Sequence, residues 1–70
     1  MKTFGQNDTV FARVMVMGRE IMNLRIDGVA SMANVISVLK EQLKSYFGII
    51  TLNLRNLTQG WVQNKAYRIA

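Results

Sequence analysis

The sequence predicts a small α+β domain of ββαββ type, a four-stranded sheet with one helix packed on one face. Three observations predict it. Apolar residues follow strand spacing up to about residue 26, helical spacing from Met32, and strand spacing again beyond Gly48. The glycines Gly18, Gly28, Gly48 and Gly60 fall where the period changes, as turn and helix-end residues do. A single helix beside two hairpins can bury its apolar stripe only against the sheet. At 70 residues one domain is expected, because a second core would need roughly 50 residues of its own. Residues 1–8, with the polar run Gly5-Gln6-Asn7-Asp8, are expected to form a flexible tail.

Residues 10–17 are rich in apolar and β-branched types, with Arg13 the only charge, which predicts a strand. Gly18-Arg19 is the expected turn, because a type II′ turn favours glycine at its first central position. Over 20–26, Met22, Leu24 and Ile26 alternate with Asn23 and Arg25, the pattern of a half-buried strand. A two-residue loop at Gly18-Arg19 sets Arg13 opposite Leu24 and Val14 opposite Asn23, which mixes both faces. Slipping by one residue aligns Val16, Val14, Ala12 and Val10 with Glu20, Met22, Leu24 and Ile26. That shifted register needs a three-residue loop or a bulge, and it is the expected one because it segregates the faces.

Asp27-Gly28 is expected to close the hairpin, and Ser31 or Asp27 can cap the helix that follows. Met32, Val35, Ile36, Leu39, Leu43, Tyr46 and Phe47 recur at helical spacing, with Asn34, Ser37, Lys40, Glu41, Lys44 and Ser45 opposite. Gly48 is the expected left-handed residue that ends the helix. Residues 49–55 set Ile50, Leu52 and Leu54 against Ile49, Thr51, Asn53 and Arg55, and 56–60 form a loop. In the last strand, 61–69, Trp61, Gln63, Lys65, Tyr67 and Ile69 oppose Val62, Asn64, Ala66 and Arg68. Polar residues on both faces mark an edge strand.

The run Val14-Met15-Val16-Met17-Gly18-Arg19-Glu20, continuing through Leu24-Arg25-Ile26-Asp27-Gly28 to Ser31, resembles the opening of ubiquitin-like β-grasp domains over roughly the first 45 residues. The resemblance implies the strand order 2-1-4-3, with the last strand central. An order that leaves the last strand at an edge is the rival. Sulfur carriers and modifiers of that family end in Gly-Gly, whereas this chain ends Tyr67-Arg68-Ile69-Ala70, so carrier chemistry is not expected.

Composition removes most catalytic chemistries. With no His and no Cys, zinc sites built on them, disulfide scaffolds and His- or Cys-based triads are excluded. Half the residues are hydrophobic, too many for a disordered chain. The carboxylates Asp8, Glu20, Asp27 and Glu41 are spread over tail, turn, cap and solvated helix side, so neither an acid–base pair nor a metal site is expected. Gly28-Val29-Ala30-Ser31 precedes a helix but lacks the lysine of a phosphate loop. Residues 29–39, the longest apolar-leaning segment, contain Ser31, Asn34 and Ser37 and fall short of the ~20 residues that span a bilayer. The expected protein is cytoplasmic, not an enzyme, and needs no cofactor, metal or membrane.

One constellation carries an interaction reading, the sheet face away from the helix. It comprises Phe11, Arg13, Met15, Ile21, Asn23 and Arg25 from the first hairpin and Ile49, Thr51, Asn53 and Arg55 from the second. Trp61, Lys65 and Tyr67 are further candidates. A core of this size rarely supplies more than ~3–5 kcal/mol, and a partner chain is one usual supplement. The expected function is a small non-enzymatic interaction module, a homodimer joined through the open face or an edge strand. The alternative is a nucleic-acid-binding accessory protein that uses the arginines and aromatics of that face, in keeping with a net charge of +5. A peptide or small apolar ligand binder comes third, with Met15, Met17, Met22 and Met32 as an adaptable lining or, more simply, a shared core.

Overall fold

The computed structural model describes residues 3–44, 46 and 48–69. Its elements run β1 (Asp8–Val16), β2 (Arg19–Val29), α1 (Met32–Gln42), β3 (Gly48–Asn56) and β4 (Val62–Ile69), the expected ββαββ order. The strands form one antiparallel sheet in the order β2-β1-β3-β4. The β-grasp order is therefore corrected: β1 lies beside β3, and the last strand is an edge. The reason is burial. β3 carries Ile50, Leu52 and Leu54, each almost wholly inaccessible, whereas β4 carries polar residues on both faces and suits the rim.

The core lies between the helix and one sheet face. Val10, Ala12 and Val14 from β1, Ile26 and Val29 from β2, and the three β3 residues meet Val35, Leu39 and Leu43 from the helix. Met22, Met32, Ile36, Val38 and Tyr46 pack around them, half-buried. Met22 and Met32 thus belong to the core, while Met17 is 97% exposed, so the methionines do not line one groove.

Face segregation decides the first hairpin. Val10 pairs with Ile26, Ala12 with Leu24 and Val14 with Met22, which is the shifted register over most of its length. Near the turn the pairing differs from expectation, with Met15 opposite Glu20 and Val16 opposite Arg19. The loop is Met17-Gly18, not Gly18-Arg19, and both its residues have positive φ, 51° and 81°. This is the backbone of a type I′ turn, whose twist matches that of the strands it joins. A register irregularity between Val14 and Met15 leaves Ile21 as the extra residue, and this bulge absorbs the one-residue slip. Because a methionine at φ 51° is strained and its side chain touches little, Met17→Asn is expected to stabilise the fold by about 0.5–1 kcal/mol. A higher urea midpoint at unchanged slope is the expected readout, and a lower midpoint contradicts the turn assignment.

A second irregularity, between Asp8 and Val10, sets Asp27 and Gly28 against Thr9 alone. β2 therefore does not close at Asp27-Gly28 but continues to Val29. Gly28 adopts φ 76°, which returns Val29 to the buried face.

Of the two proposed caps, Ser31 is the one used, its hydroxyl accepting from the Asn34 N–H at 3.4 Å. The Asn34 side chain accepts in turn from the Ala30 N–H at 2.9 Å. The helix ends earlier than its apolar spacing predicts, with Leu43 as C-cap donating to the Leu39 carbonyl at 2.9 Å. Gly48, at φ 117°, opens β3 instead of ending the helix. Tyr46 still packs against the core, while Ser45 and Phe47 lie outside the described residues.

Candidate interaction face of the sheet

The register converts period-two alternation into a grid of side chains. One row across the strands reads Arg25, Phe11, Arg55, Val62. The next reads Asn23, Arg13, Asn53, Asn64, and a third reads Glu20, Met15, Thr51, Ala66. Ile49 and Arg68 continue the pattern on β3 and β4. All of these alternate with the buried residues and therefore point away from the helix.

Hydrogen bonds organise the polar part of this face. The Nε of Arg13 donates to one oxygen of Glu20, and Asn23 donates to the other at 2.9 Å. The Arg13 hydrogen bond foremost, then that from Asn23, holds the Glu20 carboxyl below its usual range, against a smaller opposing effect of burial. Arg25 lies 3.4 Å from Asp27, whose Oδ1 also accepts from the Thr9 hydroxyl at 3.0 Å. Asn53 donates to Asn64 at 2.7 Å. Among the described residues, no carboxylate comes within salt-bridge distance of Arg55 or Arg68. Four arginines thus share the face with Glu20 and Asp27, and the surface is basic.

Of the residues picked out in the sequence, Phe11, Arg13, Met15, Arg25 and Arg55 fall together on this face. Ile21 is the bulge residue at the hairpin tip, 44% exposed, beside an open hollow of about 370 Å³ that Val16, Met17, Arg19, Glu20 and Tyr46 also line. The other three are corrections. Lys65 pairs with Leu52 and Tyr67 with Ile50, so both share the helix-side face. Tyr67 packs against the core, with the Lys65 ammonium 5.6 Å from its ring centre. Trp61 also packs on the core, edge-on to Phe4 at 5.2 Å, and its Nε1 donates to the Thr3 carbonyl at 2.7 Å. Asn64, Ala66 and Arg68 take the outer positions instead. The signal lay in the loop: six residues separate Arg55 from Val62, and an even number pairs odd positions of one strand with even positions of the other.

Asp8 is the largest departure from expectation. Read as a solvated tail charge, it is only 4% exposed. Its Oδ2 accepts from the Gly5 N–H at 2.9 Å, from Asn56 at 2.8 Å and from Gln59 at 2.8 Å. Asn56 Oδ1 accepts from the N–H groups of Thr58 and Gln59 at 3.0 and 2.7 Å, and the Thr3 hydroxyl donates to Gln59 at 3.0 Å. These bonds tie residues 3–8 to the β3–β4 loop, and Met1 and Lys2 lie outside the described residues. The Gly5 N–H first, then Asn56 and Gln59, keep the Asp8 carboxyl below its ordinary range, although burial opposes them. Its Oδ2 is taken up by structural donors, and among the described residues no buried side-chain polar atom lacks a partner. The arrangement ties two segments of the fold together.

No family model, no curated protein and no solved structure matches the chain.

Proposed function

We propose that the chain is a small non-enzymatic interaction module that self-associates through its edge strand β4. The contrast between the two sheet edges carries this reading. β2 is interrupted by two register irregularities, and bulges twist an edge so that another strand pairs poorly with it. β4 pairs with β3 from Val62 to Ile69 without interruption, and the chain has no proline to blunt it. A regular edge of this kind accepts a further strand through main-chain hydrogen bonds.

Charge selects a register for two copies related by a two-fold axis. A centre at Lys65 sets the two lysines opposite each other. A centre at Ala66 sets Lys65 against Tyr67 of the second copy and Asn64 against Arg68, so that like charges stay apart. The open face is less suited to self-association, because packing it on its own copy brings arginine rows together.

Sedimentation equilibrium is expected to give twice the chain mass at high protein concentration. Ala66→Lys, an exposed change on the outer face, opposes two lysines at the centre and is expected to weaken the dimer about tenfold. Like charges ~5 Å apart at a protein surface repel by ~1–3 kcal/mol. A monomeric wild type overturns the proposal, and so does an Ala66→Lys dimer of unchanged affinity.

A further inference from the structure

We infer that the open sheet face is a platform for single-stranded nucleic acid, on which a base stacks over Phe11 while the flanking phosphates meet Arg25 and Arg55. Phe11 sits mid-sheet and half-buried, paired with Arg25 on one side and Arg55 on the other, so an aromatic position lies between two arginine positions in one row. Rings interleaved with cations on an open sheet are the physical requirement for this ligand, since every base has a stackable face and every linkage a charge.

Charge complementarity favours this occupant. Glu20 is held by Arg13 and Asn23, and Asp27 by Thr9 and Arg25. Arg55 and Arg68 have no carboxylate partner among the described residues, so the face has positive charge to offer an anionic chain. The neighbouring row supplies the Asn53 and Asn64 amides, whose donors and acceptors match base edges. The helix covers only the other face, and the sheet is preformed, so binding orders little of the protein.

The geometry also points to a single strand and not a duplex. Four strands ~4.8 Å apart span about 14 Å, wider than the ~12 Å major groove, which admits a helix or a two-stranded ribbon. Ile49 and Val62, 60% and 39% exposed, border Arg68 and Arg55 on this face, so a lipid surface is the competing occupant that the vesicle arm of the test decides. The platform lies within one copy of the chain and does not depend on self-association through β4.

The test uses the full chain and fluorescein-labelled oligouridine and oligothymidine of about ten nucleotides, with anisotropy read across a salt series. Binding at low salt is expected, with log K falling against log salt by ~0.7 for each phosphate engaged. Phe11→Leu, which keeps an apolar side chain but removes the ring, is expected to weaken binding about tenfold at an unchanged salt slope. Arg25→Gln and Arg55→Gln are each expected to lower the slope by ~0.7. Lys40→Gln, on the helix, is expected to change neither. Circular dichroism of each variant separates lost binding from lost folding. Absence of binding at low salt overturns the inference, as does equal sensitivity to Lys40→Gln and Arg55→Gln, which marks diffuse attraction to any polyanion. Tighter binding to the duplex, or to phosphatidylserine vesicles with the same arginine dependence, also overturns it. Equal affinity for the two oligonucleotides indicates reading of base and phosphate alone, and a preference for oligouridine adds a contact to the 2′-hydroxyl.

Discussion

Leu39→Ala is expected to cost about 2–5 kcal/mol and to leave much of the population unfolded at 25 °C. Leu39 is fully buried in α1, between Val35 and Leu43 on the same stripe. Those three are the buried anchors by which one face of the sheet is covered. Truncation removes the transfer free energy of the side chain and leaves a cavity that a four-stranded sheet cannot close by local movement. A domain of this size has ~3–5 kcal/mol of stability in total, so the loss approaches all of it. Urea unfolding followed by circular dichroism measures the effect. Lys40→Ala, at the exposed neighbouring position, is the control and is expected to stay within ~0.5 kcal/mol of wild type. Equal midpoints for the two variants would show that the helix is not anchored by this residue.

Asn56→Ala is expected to cost about 2–4 kcal/mol, the second large effect. The Asn56 side chain, itself fully buried, donates to Asp8 and accepts from the N–H groups of Thr58 and Gln59. Its removal takes away three hydrogen bonds, one of them to a charged group, and leaves the buried Asp8 carboxylate short of a donor. The same substitution has a signature in pH. Hydrogen bonds from Gly5, Asn56 and Gln59 depress the Asp8 carboxyl in the folded state, so near and below its unfolded value of 3.8 the unfolded chain binds more protons. The stability from this group is therefore fully present above that value and is lost as pH falls through the lower folded value. Glu20, depressed by Arg13 and Asn23, acts in the same direction from its unfolded value of 4.5. Wild-type stability is expected to be level across neutral pH and to fall below about pH 4. In Asn56→Ala the stability difference between neutral and acid conditions is expected to shrink, because one of the depressing bonds is gone. An unchanged difference would show that Asn56 does not act on the carboxyl.

What the sequence determined by itself was whatever depends on neighbours a few residues away. The alternation of Val10, Ala12 and Val14 against Phe11 and Arg13 specified both the buried face and most of the first register, because a slip of one residue exposes every apolar side chain at once. The spacing of Val35, Leu39 and Leu43 specified the helix stripe, while the choice of Ser31 over Asp27 as its cap came from the structure. Phe11, Arg13, Met15, Arg25 and Arg55 share a face for the same local reason. The tertiary structure decided what depends on long-range pairing. Strand order was settled by which strand could be buried between two others, a comparison of β3 with β4 that neither pattern states alone. Trp61, Lys65 and Tyr67 left the open face because the parity of the β3–β4 loop assigns sides, and residue type does not. Asp8 became a buried acceptor through Asn56 and Gln59, 48 and 51 residues away, when its local surroundings read as solvated chain. A carboxylate leaves water only where donors converge to replace it, and only the folded chain brings those donors together.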